Sequence, residues 1–311
     1  NFFDILFPGK ELKLLKDVNG SYNIVSKLHG LVNLSNFSDQ LELEALPILG
    51  DIDGESAGDL AGLSVSLSAD GSVVAIGAKN NDGNGSNSGH VRIYRNNNGT
   101  WTQIGDDIDG EAAGDQSGYS ISLSSDGYVV AIGTYGNAGN GFESGHVRIY
   151  QYANDSWTKI GDDIDGESAA DSSGGSVSLS SDGSVVAIGA QYNDGAGNAS
   201  GHVRIYQNDN GTWNKIGDDI DGEAAGDRSG YSVSLSDDGS VVAIGAYFND
   251  GGGELRGHVR IYQNDNGTWT QIGSDINGEA AGDQSGDSLS LSADGSVVAI
   301  GAIGNDGNGS N

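Results

Sequence analysis

Four carboxylates crowd the stretch DDIDGEAAGD at Asp107, Asp109, Glu111 and Asp115, and chemistry begins there. Places 1, 3, 5 and 9 of a turning backbone are occupied by hard oxygen ligands, the kind that Ca2+ gathers about six to eight at a time. The set recurs as Asp51, Asp53, Glu55 and Asp59, as Asp163, Asp165, Glu167 and Asp171, and as Asp219, Asp221, Glu223 and Asp227. A fifth copy reads Asp275, Asn277, Glu279 and Asp283. Two readings fit this pattern. The acids bind calcium, or Ile108 is buried at the end of a strand and the flanking acids form a solvated edge.

Other polar residues recur with them. His90, His146, His202 and His258 stand in identical settings, which favours a hydrogen bond between copies over a metal or catalytic ladder. Arg92, Arg148, Arg204 and Arg260 are the main cations of an acidic chain and are expected to pair with acids of a neighbouring copy. Trp101, Trp157, Trp213 and Trp269 are expected to pack between copies, with stacking on a glycan as the alternative. No catalytic residues are assigned and no enzyme is expected, because catalysis needs different groups converging on one point and copying keeps them alike.

Every one of these series steps by 56 residues, without insertion or deletion, over about 260 residues. A fixed period of that size marks a propeller, a solenoid or an array. Within one unit, YSISLS alternates, Asp126-Gly127 supplies a tight turn, YVVAIGT follows, and GHVRIY and WTQIGDDI complete four strands. Asp-Gly between alternating runs is a strong hairpin signal, and it recurs at Asp70, Asp182, Asp238 and Asp294. Four antiparallel strands per unit predict an all-β fold, a β-propeller rather than another β array. With 53 Gly among 311 residues, helix is disfavoured throughout.

The unit W-x-x-I-G, G-E-x-x-G-D-x-S-G-x-S-V-S-L-S-x-D-G-S-V-V-A-I-G-A and G-H-V-R-I-Y resembles the FG-GAP repeats of bacterial and algal secreted proteins, which are related to those of the integrin α-chain propeller. The resemblance spans residues 50–311 and implies a propeller used outside the cell for adhesion or structure. Two features depart from the family pattern. The Phe-Gly of the name is replaced by Tyr-Ser, Leu-Ser, Gly-Ser or Asp-Ser, and Gly110 stands at place 4 of the acidic loop where the integrin-type calcium loop has its glycine at place 6.

A net charge of −30 excludes a basic footprint for nucleic acid and makes anionic membranes poor partners. Cations are the natural counterparts, Ca2+ first, and no organic cofactor is expected. There is no Cys and no Met, so no disulfide is available, and the chain is expected to be a mature or trimmed form. No apolar run is long enough for a membrane helix, so no membrane insertion is expected. Asn-x-Ser/Thr sequons at Asn19, Asn33, Asn36, Asn84, Asn98, Asn154, Asn198, Asn210, Asn266 and Asn308 point to an extracellular glycoprotein, although an Asn- and Ser-rich repeat also copies sequons without use.

Domain organisation reads as an N-terminal segment, 1–50, followed by five propeller units, 51–311, the last incomplete and 19 residues short of a full set. An open edge in the last blade must be covered. The segment closes the propeller through QLELEALPIL, or is a degenerate blade, or donates a strand such as NFFDILF to the next molecule. Head-to-tail self-association into a filament or surface layer follows from the third reading. The expected function is a non-enzymatic, extracellular structural or adhesive propeller. The alternative is a lectin-like propeller whose equivalent pockets hold glycans multivalently. If the sequons are used, the intact mass of native material exceeds the 31.7 kDa of the polypeptide, and a matching mass shows that they are not.

Overall fold

The computed structural model describes residues 14–16, 22–24, 51–251 and 253–307. The chain divides into two units, Asn1–Leu49 and Gly50–Asn311. In the first, β1 (Leu14–Lys16) and β2 (Tyr22–Ile24) pair antiparallel. NFFDILF, QLELEALPIL and the sequons at Asn19, Asn33, Asn36 and Asn308 lie outside the described residues.

The second unit is a series of antiparallel sheets. In the first blade, β3 (Ser64–Leu67), β4 (Val73–Ala78), β5 (His90–Asn97) and β6 (Thr100–Gln103) pair in that order, and β7 (Ile108–Asp109) returns to pair β5. Three more blades repeat this plan at residues 120–165, 176–221 and 232–277. A fifth sheet holds two strands, β23 (Ser285–Leu291) and β24 (Val298–Ala302).

One element differs from the sequence expectation. WTQIGDDI is not a continuous fourth strand. Gln103 stands opposite Tyr94 and Ile108 opposite Val91, so residues 104–107 face only two residues of β5. Ile104 still donates its N–H to Ile93 at 2.8 Å, and Gly105 then turns at φ +71°, a conformation that glycine adopts without steric cost. The break lets the chain end of one blade swing toward the next.

The Asp-Gly hairpins form as read. Asp70 Oδ1 accepts hydrogen bonds from the Ser68 hydroxyl at 2.8 Å and the Ser72 N–H at 2.9 Å, closing the turn locally.

The core lies between sheets. Val129, Ala131, Val147 and Ile149 of the second blade bury against Leu179, Val186 and Ile188 of the third, and the same layer recurs at the other junctions. Each fully buried aliphatic side chain contributes roughly 1.5–3 kcal/mol, so this layer holds the blades together. The tryptophans seal it as expected: Trp157, Trp213 and Trp269 donate their indole N–H to the carbonyls of Ile104, Ile160 and Ile216 in the preceding blade, at 2.8–2.9 Å.

Serines of the innermost strands make the remaining links. Ser120 Oγ donates to the Gly174 carbonyl at 2.8 Å, and Ser122 Oγ accepts from the Leu179 N–H at 2.9 Å. The backbones meet so closely that a Cβ on Gly189 would lie 2.0 Å from the Gly230 carbonyl oxygen. Gly189→Ala is therefore expected to cost about 3 kcal/mol by overpacking in urea denaturation. Gly175→Ala serves as the control, because its Cβ would meet nothing closer than 3.3 Å and is expected to cost far less.

Candidate metal site at the blade junctions

Antiparallel pairing places the entry to the first strand, the exit of the second, the entry to the third and the exit of the fourth on one rim. The acidic loop leaving one blade is laid against the next by an arginine. Arg148 donates to the Asp109 carbonyl at 2.8 Å and lies 3.5 Å from the Glu111 carboxylate. Arg92, Arg204 and Arg260 hold Asp53, Asp165 and Asp221 in the same way, at 2.6–2.9 Å. These are the across-blade partners expected for the arginines.

This docking separates the acids that sequence places in one loop. Asp107 groups with Glu55 of the preceding loop and with His90, whereas Glu111 groups with His146 and Asp163 at the next junction. Glu167 with His202 and Asp219, and Glu223 with His258 and Asp275, complete four equivalent triads. In each, one ligand atom per residue lies within 4.8 Å of the others, an arrangement that could hold a metal ion. At the first junction the triad opens into a pocket of about 380 Å³ that Asp59, Asn81 and Asp109 also line.

The other acids have different places. Asp59 is buried and accepts from the Ser56 N–H and the Asn81 amide, both at 3.1 Å, so it ties its loop down. Asp171, Asp227 and Asp283 repeat those contacts, and Asp115 accepts from the Ala112 N–H at 3.0 Å. Asp51 and Asp53 line a separate pocket beside Tyr94 and Trp101. Glu279 joins no triad among the described residues.

The histidines depart from expectation. They form no blade-to-blade hydrogen bond: Nδ1 of His90 faces Glu55 at 3.7 Å and Asp107 at 3.6 Å, and Nε2 of His146, His202 and His258 has no hydrogen-bond partner. Sequence carried a signal for the triads, since each of the four repeat histidines has a glutamate 35 residues before it and an aspartate 17 after it. Offsets that long span two blades, and only the fold makes them contacts.

Electrostatics concentrates negative charge here. Burial pushes the Asp109, Asp165 and Asp221 carboxyls up, and the neighbouring Asp107, Asp163 and Asp219 push them further. Lys159 and Lys215 offset part of this by bonding Asp163 and Asp219 at 2.5 and 2.7 Å, whereas neutral Gln103 and Gln271 take those places at the outer junctions. Elsewhere, Asn84, Asn98, Asn154, Asn198, Asn210 and Asn266 are exposed, four of them on the turn joining the third and fourth strands.

An FG-GAP repeat family model matches residues 220–262, one junction and the blade after it. The other blades carry the same residues in steps of 56. The chain is an FG-GAP-type repeat β-propeller protein. No curated protein matches it.

Among solved structures, the Pseudomonas aeruginosa periplasmic gluconolactonase aligns with a TM-score of 0.51 at 19% identity, over 76% of this chain and 64% of its own. Kuenenia stuttgartiensis hydrazine synthase aligns at 0.49 and 13%, over 77% of this chain and 61% of its own. The FG-GAP chain thus spans less than two thirds of either. The gluconolactonase corrects one expectation. A fold of copied blades is shared with an enzyme, so repeat symmetry is no ground for ruling catalysis out in this propeller.

Burial, followed by the adjacent Arg148 and Arg204, pulls the imidazoles of His146 and His202 down from 6.5 to about 4. The folded protein therefore holds them neutral where the unfolded chain takes up protons. Their contribution to stability is complete above pH 6.5 and declines as pH falls toward 4, by a little over 1 kcal/mol per pH unit for each histidine. Urea melts in EDTA across that range are expected to show a steeper decline for the parent than for the His146→Gln/His202→Gln variant. Parallel curves would show that these groups do not carry the effect.

Proposed function

We propose that this FG-GAP propeller works outside the cell, secreted or at the cell surface, as a structural or adhesive element whose blade junctions take divalent cations. The observation that supports it is the Glu–His–Asp triad, copied at four junctions with the same across-blade arginine beside it. The 3.6–3.7 Å between His90 Nδ1 and its two carboxylates is close to the roughly 3.4 Å separating ligands around a tetrahedral ion with bonds of about 2.1 Å. An imidazole nitrogen among carboxylates suits a first-row ion such as Zn2+ or Mn2+. Ca2+, suggested by the loop spacing, takes oxygen ligands, and here one loop's acids are divided between two pockets. Exposed sequons and the FG-GAP repeat support the location.

An ion at each junction would join two blades and stiffen the array. Self-association is proposed through residues 1–50 and the two-stranded last sheet, with glycans as further partners. Calorimetric titration of the full chain with Zn2+ is expected to give about four equivalents, tighter at the two junctions with glutamine than at the two with lysine. Electron microscopy of the same samples is expected to show polymers. Discrete single particles at every cation concentration would refute self-assembly, and absence of Zn2+ binding would refute the cation role.

A further inference from the structure

The repeat copies much of this rim, and the positions that vary include those beside the innermost strands. The position before the first strand of successive blades holds Tyr119, Gly175 and Tyr231, and the position after the second strand holds Tyr135, Gln191 and Tyr247. Their flanks, G-x-S and A-I-G, recur with little change. Positions that vary on a largely copied surface are places where the copies can do different things.

Those residues meet. Tyr119 packs on Tyr135 with ring centroids 4.3 Å apart, and Tyr231 on Tyr247 at 4.1 Å. Arg228 lies over Phe248 at 4.3 Å and Tyr192 at 5.0 Å, and donates to the Tyr247 hydroxyl at 2.7 Å. Burial pushes the Tyr119 hydroxyl up, and Arg228 lies over both Tyr192 and Tyr247, so it joins rings of two adjacent blades. Tyr231 is pushed up to about 12, by burial first and then by Asp287.

Gly175 leaves a gap in this ring where its neighbours carry tyrosines. A Cβ there would find only the Ser172 carbonyl at 3.3 Å and the Gln191 amide at 3.7 Å. Gln191 is 7% exposed, and its Oε1 has no hydrogen-bond partner. A buried amide oxygen without a donor is unfavourable, and a ligand hydroxyl that reached it would satisfy it.

We infer that the rim around Gly175 is a single saccharide-binding site, with Tyr119, Tyr192 and Tyr231 as stacking faces and Gln191 and Arg228 as hydrogen-bond partners. The apolar faces of a pyranose lie flat on aromatic rings, while its hydroxyls exchange hydrogen bonds with an amide and a guanidinium; aromatic side chains combine such faces with polar handles. A cationic ligand is disfavoured because Arg228 and Lys79, which lie beside rings of the cluster, would repel it. The site uses none of the triad residues and is independent of the cation reading.

The full chain is to be screened in EDTA against gluco-, manno- and galacto-configured oligosaccharides, neutral and uronate, and the tightest binder titrated by calorimetry. One equivalent per chain is expected. Gly175→Tyr, which installs the residue of the neighbouring blades, and Tyr192→Ala, at an exposed ring, are each expected to weaken binding about tenfold or more, or about 1.4 kcal/mol, with unchanged thermal melts. Absence of binding to every saccharide, about four equivalents, or affinity unmoved by both substitutions would overturn the assignment.

Discussion

Close approach of the second strand of one blade to the entry of the next blade's first strand is the constraint on which this propeller depends. Cβ atoms on Gly133, Gly189 and Gly245 would lie 2.0–2.2 Å from carbonyl oxygens of the next blade. Only glycine fits there, and the serines on either side convert the same proximity into hydrogen bonds. Every blade must both present this face and receive it. One residue more or fewer within a strand would turn its side chains to the wrong face, so each strand keeps its pattern from copy to copy.

The junction chemistry follows from that contact. Once strands are seated, the broken fourth strand brings its acidic exit beside the first strand of the following blade, and the arginine of the third strand holds it there. Carboxylates from two blades then face one buried imidazole. Crowding like charges is unfavourable, and the cost falls where lysine or a cation shares the site. Symmetry thus multiplies the junction sites, whereas the residues around Gly175 are free to vary because no copy needs them for stacking.

Much of this was legible beforehand. The hairpins follow from Asp-Gly between alternating runs, the tryptophans from their period, and the arginines from being the main cations among acids. The break at Gly105 was hidden because WTQIGDDI keeps an apolar and polar alternation through it. The loop acids looked like one cluster because they are near in sequence, although the fold assigns Asp107 backward to Glu55 and Glu111 forward to His146. Inference from symmetry failed for catalysis because it concerned the repeated residues alone, and folds of copied blades also present residues that differ.

Local information determined the strands, their turns, the period and the layer of apolar side chains, since each depends on neighbours a few residues away. Tertiary structure decided which acids share a pocket, that the histidines face carboxylates rather than making hydrogen bonds between blades, and that Arg228 lies over tyrosines of two blades. Those contacts join residues tens of positions apart, and only the geometry of stacking one blade on the next brings them within interaction distance.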